Sequence, residues 1–167
     1  LPFKHIFVTT QMHRIAGCLC ALAILTASLW GVVNARIIHV TPYDVTIDKS
    51  VAGMDEMKVV LVADLHLGYN IGEKQMQRMV EKINEQDADL VVIAGDVFDR
   101  SIPSESAQTM FGWFMAELKR ALPQNGRILV IPGNHDSPKR IAFAAELFES
   151  VGIHLVSEIL LSTTLVL

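Results

Sequence analysis

The sequence predicts an α/β domain built on a parallel sheet, set behind an apolar helix of membrane length. Three observations predict it. From Met57 onward, short apolar runs alternate with amphipathic helical stretches in the order β-α-β-α-β-α-β, the pattern that pairs strands in parallel under covering helices. Residues 15–33 carry no charged side chain. Three of the apolar runs end in clusters of Asp, His or Asn, at the place where open α/β sheets bind ligands.

The first element is "IAGCLCALAILTASLWGVV", residues 15–33, preceded by Lys4, His13 and Arg14. Nineteen residues at 1.5 Å rise span about 28 Å, close to the hydrocarbon thickness of a bilayer. The reading preferred is a retained signal anchor, because the run exceeds the core of a cleaved signal peptide. Cleavage after Ala35 is the runner-up, since Val33 and Ala35 form a small-x-small pair. A buried soluble helix is disfavoured, because no polar stripe interrupts the run. Residues 1–14 read as an N-terminal extension. Lys4 and Arg14 on one flank against Arg36 and Lys49 on the other bias the topology only slightly, towards N-terminus inside and the domain outside. The expectation is a single-pass protein of the cell membrane with an extracytoplasmic domain. Cys18 and Cys20 both lie in the apolar run, so residues 34–167 hold no disulfide.

Residues 34–56 read as one strand and a connector: "YDVTI" at 43–47 alternates apolar and polar, and a polar stretch with Gly53 follows. "MKVVLVAD" is a buried strand. In residues 73–86, Met76, Met79, Val80 and Ile83 share a helical face. "DLVVIAGD" is the next strand. Ser104 caps a helix whose Ala107, Met110, Phe111, Phe114, Met115 and Leu118 face inward. "RILVIPGN" is the third strand, Ser137 and Pro138 supply N-cap and N1 of a helix ending near Gly152, and "IHLV" is the fourth strand. The Met and Phe stripes are core positions.

Charge narrows the partners. Lys4 and Arg14 are the only charged residues before position 34, which leaves 12 Lys plus Arg against 18 Asp plus Glu beyond it, a formal charge of −6. Non-specific nucleic-acid binding draws on a basic surface, and this balance argues against such a partner.

The polar clusters are "DLH" with Asp64 and His66, "GDVFD" with Asp96 and Asp99, and "GNHD" with Asn134, His135 and Asp136. Parallel neighbours bring the three together. Carboxylate and imidazole donors suit Mn, Fe or Zn rather than Ca. A carboxylate has two oxygens, so one Asp can serve two ions, and two ions about 3.5 to 4 Å apart can clamp the attacking and departing oxygens of a phosphate. Taken singly, an Asp or Asn after a strand is a turn residue or helix cap, and a lone His a satisfied surface group. Three coincident clusters shift that balance towards a metal site. His154, inside "GIHLV", is explained by an alternating strand alone.

These blocks resemble the calcineurin-like metallophosphoesterases, whose signature runs D-x-H, G-D-x-x-D, G-N-H-[DE], and the resemblance covers residues 57–156. It implies the first half of a metallophosphoesterase α/β sandwich over 57–167 and hydrolysis of a phosphoester, its identity open. It implies two divalent metal ions, manganese, iron or zinc, sharing a hydroxide nucleophile. Asp64 and His66 would bind the first ion, Asp96 would bridge, and Asn134 would bind the second. His135 would be the catalytic group, protonating the leaving group or stabilising the transition state. Asp99 and Asp136 would orient these ligands, and Arg100 is a candidate phosphate contact.

Family members continue past G-N-H with a further His and a G-H-x-H block. Here His154 is the only histidine after His135. At least two ligands are absent from this sequence, and "ILLSTTLVL" reads as an end in mid-domain, so the domain is expected to be incomplete at its C-terminal side. "ADLHLGYNIGEKQ…VVIAGD", with the apolar segment, resembles small membrane-anchored bacterial phosphoesterases. "GDVFDRSIPS" and the stretch from "IPGNHDSPKR" on resemble the nuclease subunit of the bacterial double-strand-break repair exonuclease. An exonuclease-like phosphodiesterase and a non-catalytic anchored module with a partial metal site are the alternative readings.

Overall fold

A computed structural model describes residues 10–48, 53, 55–68, 71–143 and 145–156. Two compact units are present, one from residue 1 to 39 and one from residue 40 to 167, and each is described by itself.

In the first, helix α1 (Thr10–Asn34) covers the whole uncharged run. Within it, Gln11–Asn34 is long and apolar enough to cross a membrane, and none of it is buried. A helix can face hydrocarbon because its backbone groups are satisfied internally. The mid-helix hydroxyl of Thr26 donates to the carbonyls of Leu22 and Ala23 at 3.0 Å.

The second unit is a four-stranded, all-parallel sheet in the order β1-β2-β3-β4, with β1 (Val59–Ala63), β2 (Leu90–Gly95), β3 (Arg127–Pro132) and β4 (Ile153–Leu155). Its register runs Val59 opposite Leu90, Leu90 opposite Arg127, and Ile128 opposite Ile153. Crossovers are α2 (Glu73–Asn84), α3 (Glu105–Ala121), and the short pair α4 (Pro138–Ile141) and α5 (Ala145–Glu149).

Alternation of side chains along each strand divides the sheet into two faces. Val91, Ile93, Ile128, Val130 and Ile153 are buried with Met76, Val80 and Ile83 of α2 and Ala107, Phe114, Met115 and Leu118 of α3. Both helical stripes read from the sequence are therefore core, with Met79, Met110 and Phe111 half-buried against it. The opposite face, which includes Val59, Leu61, Leu90, Val92 and Leu129, carries no buried residue among those described.

Local sequence explains the helix boundaries. Ser104 caps α3, its hydroxyl accepting from the Ala107 amide at 3.3 Å. At the next predicted cap the structure differs: Pro138 does open α4, but the Ser137 side chain makes no cap hydrogen bond. The single helix expected up to Gly152 is broken, because Ala142 turns out of helical geometry (ψ 5°) and the Phe143 amide bonds back only three residues, to Arg140. The strand expected at 43–47 is also not formed. Those residues are irregular, with Tyr43 83% exposed, since an alternating segment becomes a strand only beside a partner and none pairs with it among the described residues. Residues 1–9 of the N-terminal extension and the apolar tail at 157–167 lie outside the described residues.

Candidate metal centre

Beyond β1 burial alternates: Leu65 and Leu67 are buried, while Asp64 is exposed and His66 half-buried. Two apolar anchors thus present two polar ligands. The loop after β2 is built alike, on buried Val97 and Phe98. Backbone bonds zip the loops together: His66 N to Asp96 O at 3.0 Å, Leu67 N to Val97 O at 2.8 Å, and Asp99 N to Leu67 O at 3.3 Å. Asp64 (φ 53°) and His66 (φ 45°) both adopt left-handed backbone, a conformation that costs non-glycine residues energy and that clusters at functional sites.

Each loop's carboxylate is fixed by the backbone of the next loop. Asp64 Oδ1 accepts from the Asp96 amide at 3.1 Å. Asp96 Oδ1 accepts from the His135 amide at 2.9 Å. Buried Asp136 closes the series in the reverse sense, accepting from Val97 N at 2.8 Å, Phe98 N at 2.9 Å and Gly133 N at 3.1 Å. A carboxylate with three backbone donors is a staple between the loops after β2 and β3.

Ligand atoms of Asp64, His66 and Asp96 all lie within 4.8 Å of one another. Bond lengths of about 2.0 to 2.2 Å to a divalent ion would gather them with small shifts. Asp96 Oδ2 is the oxygen without a backbone donor, and it faces His66 Nε2 at 3.8 Å and His135 Nε2 at 3.9 Å. These separations exceed a hydrogen bond. The two imidazoles stand edge to face, with centroids 6.1 Å apart. Two carboxylates and an imidazole are a donor set that fits a transition-metal dication.

Asp99 touches both histidines. Its Oδ1 lies 3.4 Å from His66 Nδ1, and its backbone carbonyl lies 3.3 Å from His135 Nδ1. Its Oδ2 is buried with no hydrogen-bond partner among the described residues. An orphaned buried carboxylate oxygen is rare in structural cores and marks a functional neighbourhood. Asn134 is exposed and sits between Gly133 and His135, both tied to the Asp96 loop. Arg100 is exposed and lines a cavity of about 200 Å³ with Gly68, Asp99, Ile102, Pro103 and Ser104.

Two residues packed directly against the candidate carboxylates were not singled out by sequence reasoning. A Cβ on Gly95 (φ 82°) would overlap the Asp64 carboxylate, and one on Gly133 would overlap the Asp96 carboxylate and stand 2.6 Å from its amide nitrogen. Glycine directly before Asp96 and before Asn134 was the available signal, and it means close approach of neighbouring loops.

Residues 57–161 match the family model described as calcineurin-like phosphoesterase.

Proposed function

The chain belongs to the calcineurin-like phosphoesterase family, a family of hydrolases that use divalent metals, and from that premise we propose that this chain hydrolyses a phosphoester at the Asp64, His66 and Asp96 centre. The observation that carries the proposal is the convergence of those three ligands beyond the carboxyl ends of adjacent parallel strands.

Asp64 and His66 would hold the first divalent ion, Asp96 would be shared, and Asn134 would serve a second ion. Bound there, two ions would supply a deprotonated water as nucleophile and neutralise charge on the phosphoryl oxygens. The chain's own residues do the rest. His135, with Nδ1 beside the Asp99 carbonyl, has Nε2 directed at the centre and gives its proton to the departing oxygen as the phosphorus–oxygen bond breaks. Asp99 Oδ1, 3.4 Å from His66 Nδ1, accepts from an Nδ1–H there, which leaves the Nε2 lone pair for metal. Asp136 holds the two loops at their spacing, and Arg100 binds a non-bridging phosphate oxygen. Manganese, iron and zinc all suit the donors. The helix α1 anchors the chain in the cell membrane as a signal anchor, with the domain outside the cytoplasm. The substrate is a phosphoester, and the acidic balance speaks against nucleic acid as the partner.

The test is hydrolysis of bis-p-nitrophenyl phosphate by the full chain with millimolar manganese. With four family-type ligands in residues 57–156, slow turnover is expected, abolished by chelator and by His135→Ala. Turnover equal in the variant and the parent would refute the assignment of His135, and turnover indifferent to chelator would refute the metal centre.

A further inference from the structure

The cavity of about 200 Å³ beside the candidate centre has no part in the chemistry assigned so far, apart from Arg100 in its wall. It adjoins the ligands directly: Gly68 stands two residues after His66, and Asp99 lies against both imidazoles. Ile102, Pro103 and Ser104 also line it. Ile102 is 67% exposed, a large apolar side chain held beside a cavity rather than in the core.

The polar groups of the lining are of opposite kinds. Arg100 can only donate hydrogen bonds, and the ionised Asp99 carboxylate can only accept them. Asp99 Oδ2 is buried with no partner among the described residues, so it holds acceptor capacity that the protein does not use. A Cβ at Gly68 (φ 137°) would stand 3.4 Å from that oxygen, so backbone alone closes over it, and a ligand reaches it as the glycine yields. Ser104 adds a hydroxyl whose oxygen already accepts from the Ala107 amide.

We propose that this cavity holds the organic part of the substrate, and that this part is a compact polyol; the proposal rests on phosphoester hydrolysis at the Asp64, His66 and Asp96 centre. An ammonium in the cavity would face Arg100, and a carboxylate or second phosphate would face Asp99. A hydroxyl both donates and accepts, so it suits the two walls at once. The C–H face of a polyol packs on Ile102 and Pro103. Volume sets the upper bound. At about 30 Å³ per liquid water the cavity has room for about seven waters, which fits glycerol or a single sugar, and it is smaller than the roughly 300 to 1,000 Å³ of sites that bury drug-sized ligands.

The test compares two diesters, glyceryl p-nitrophenyl phosphate and propyl p-nitrophenyl phosphate, as substrates of the full chain with millimolar manganese, read as p-nitrophenolate released. Both carry a three-carbon group, and they differ by two hydroxyls. The expected result is a kcat/KM at least about tenfold higher for the glyceryl ester, since a site that hydrogen-bonds a substrate hydroxyl rejects the analogue lacking it. Ile102→Trp, a substitution at an exposed position that fills the cavity, brings the ratio of the two esters to near one. Equal kcat/KM for the two esters in the parent, with turnover sensitive to chelator, would overturn the polyol assignment and leave the centre standing. A preference for the propyl ester would overturn it as well and give the cavity to an apolar group. A glyceryl preference that survives in an active Ile102→Trp chain would place the hydroxyl contacts elsewhere, against the proposal. Absence of chelator-sensitive turnover with both esters would overturn the reading of the centre, and the polyol assignment with it. The comparison in the parent decides the matter even where the Trp variant fails to fold.

Discussion

Asp64 Oδ1 accepts a hydrogen bond from the backbone amide of Asp96 at 3.1 Å, so the first carboxylate of the centre is held by the loop that carries the second. Asp96 is held in turn by the His135 amide. The three sequence blocks are thus one hydrogen-bonded unit, and a change in one loop is felt in the others.

Asp136 is the structural keystone of that unit, with three backbone donors on one buried carboxylate. Asp136→Ala orphans three amides, and since a hydrogen bond to a charged group contributes about 1.5 to 3 kcal/mol and such losses do not add, a stability loss of about 2 to 4 kcal/mol is expected. Urea unfolding measures it. A loss within about 0.5 kcal/mol, the range of ordinary surface changes, would mean the staple does not hold the loops.

Gly95→Ala and Gly133→Ala push a methyl group against the Asp64 and Asp96 carboxylates. Displacing a ligand's support typically weakens metal affinity about 10 to 100-fold. Gly112→Ala, at a helix position with open space, is the control and should leave affinity unchanged. Equal affinities in all three variants would show that these glycines serve the turn alone.

Asp99→Asn separates positioning from catalysis. The variant alters the partner of His66 Nδ1, so metal affinity should fall by about tenfold or more, whereas His135→Ala should lower turnover and leave metal affinity nearly unchanged. Manganese titration monitored by electron paramagnetic resonance gives the affinities, and hydrolysis of bis-p-nitrophenyl phosphate gives the turnover. The reverse pattern would exchange the roles of Asp99 and His135.

Much of this was legible in the sequence because its signals are periodic and local. Met76, Val80 and Ile83 repeat at helical spacing, and the structure buries all three. The polar blocks were legible because each follows an apolar run. The strand expected at 43–47 failed because alternation reports only a segment's own two faces, while a strand needs a neighbour. Likewise the break at Ala142 is set by one residue's ψ, which no periodicity encodes. The staple made by Asp136 depends on contacts 38 and 39 residues away, and such distance is invisible to a local pattern.

The apolar run of α1 predicts retention in the membrane pellet through high salt and alkaline carbonate. Mass spectrometry of the retained chain should find α1 intact. A soluble product beginning at Arg36 would replace the anchor by a cleaved signal.

Manganese binding by the full chain, measured by calorimetry in parent and Asp96→Asn, tests the centre most directly. The Asp96 Oδ2 atom faces both imidazoles, and replacing the carboxylate by a neutral amide removes the one side chain that both ions would share. Saturable binding by the parent, weakened about tenfold or more and reduced in stoichiometry in Asp96→Asn, is the predicted result. Identical isotherms for the two chains would contradict it.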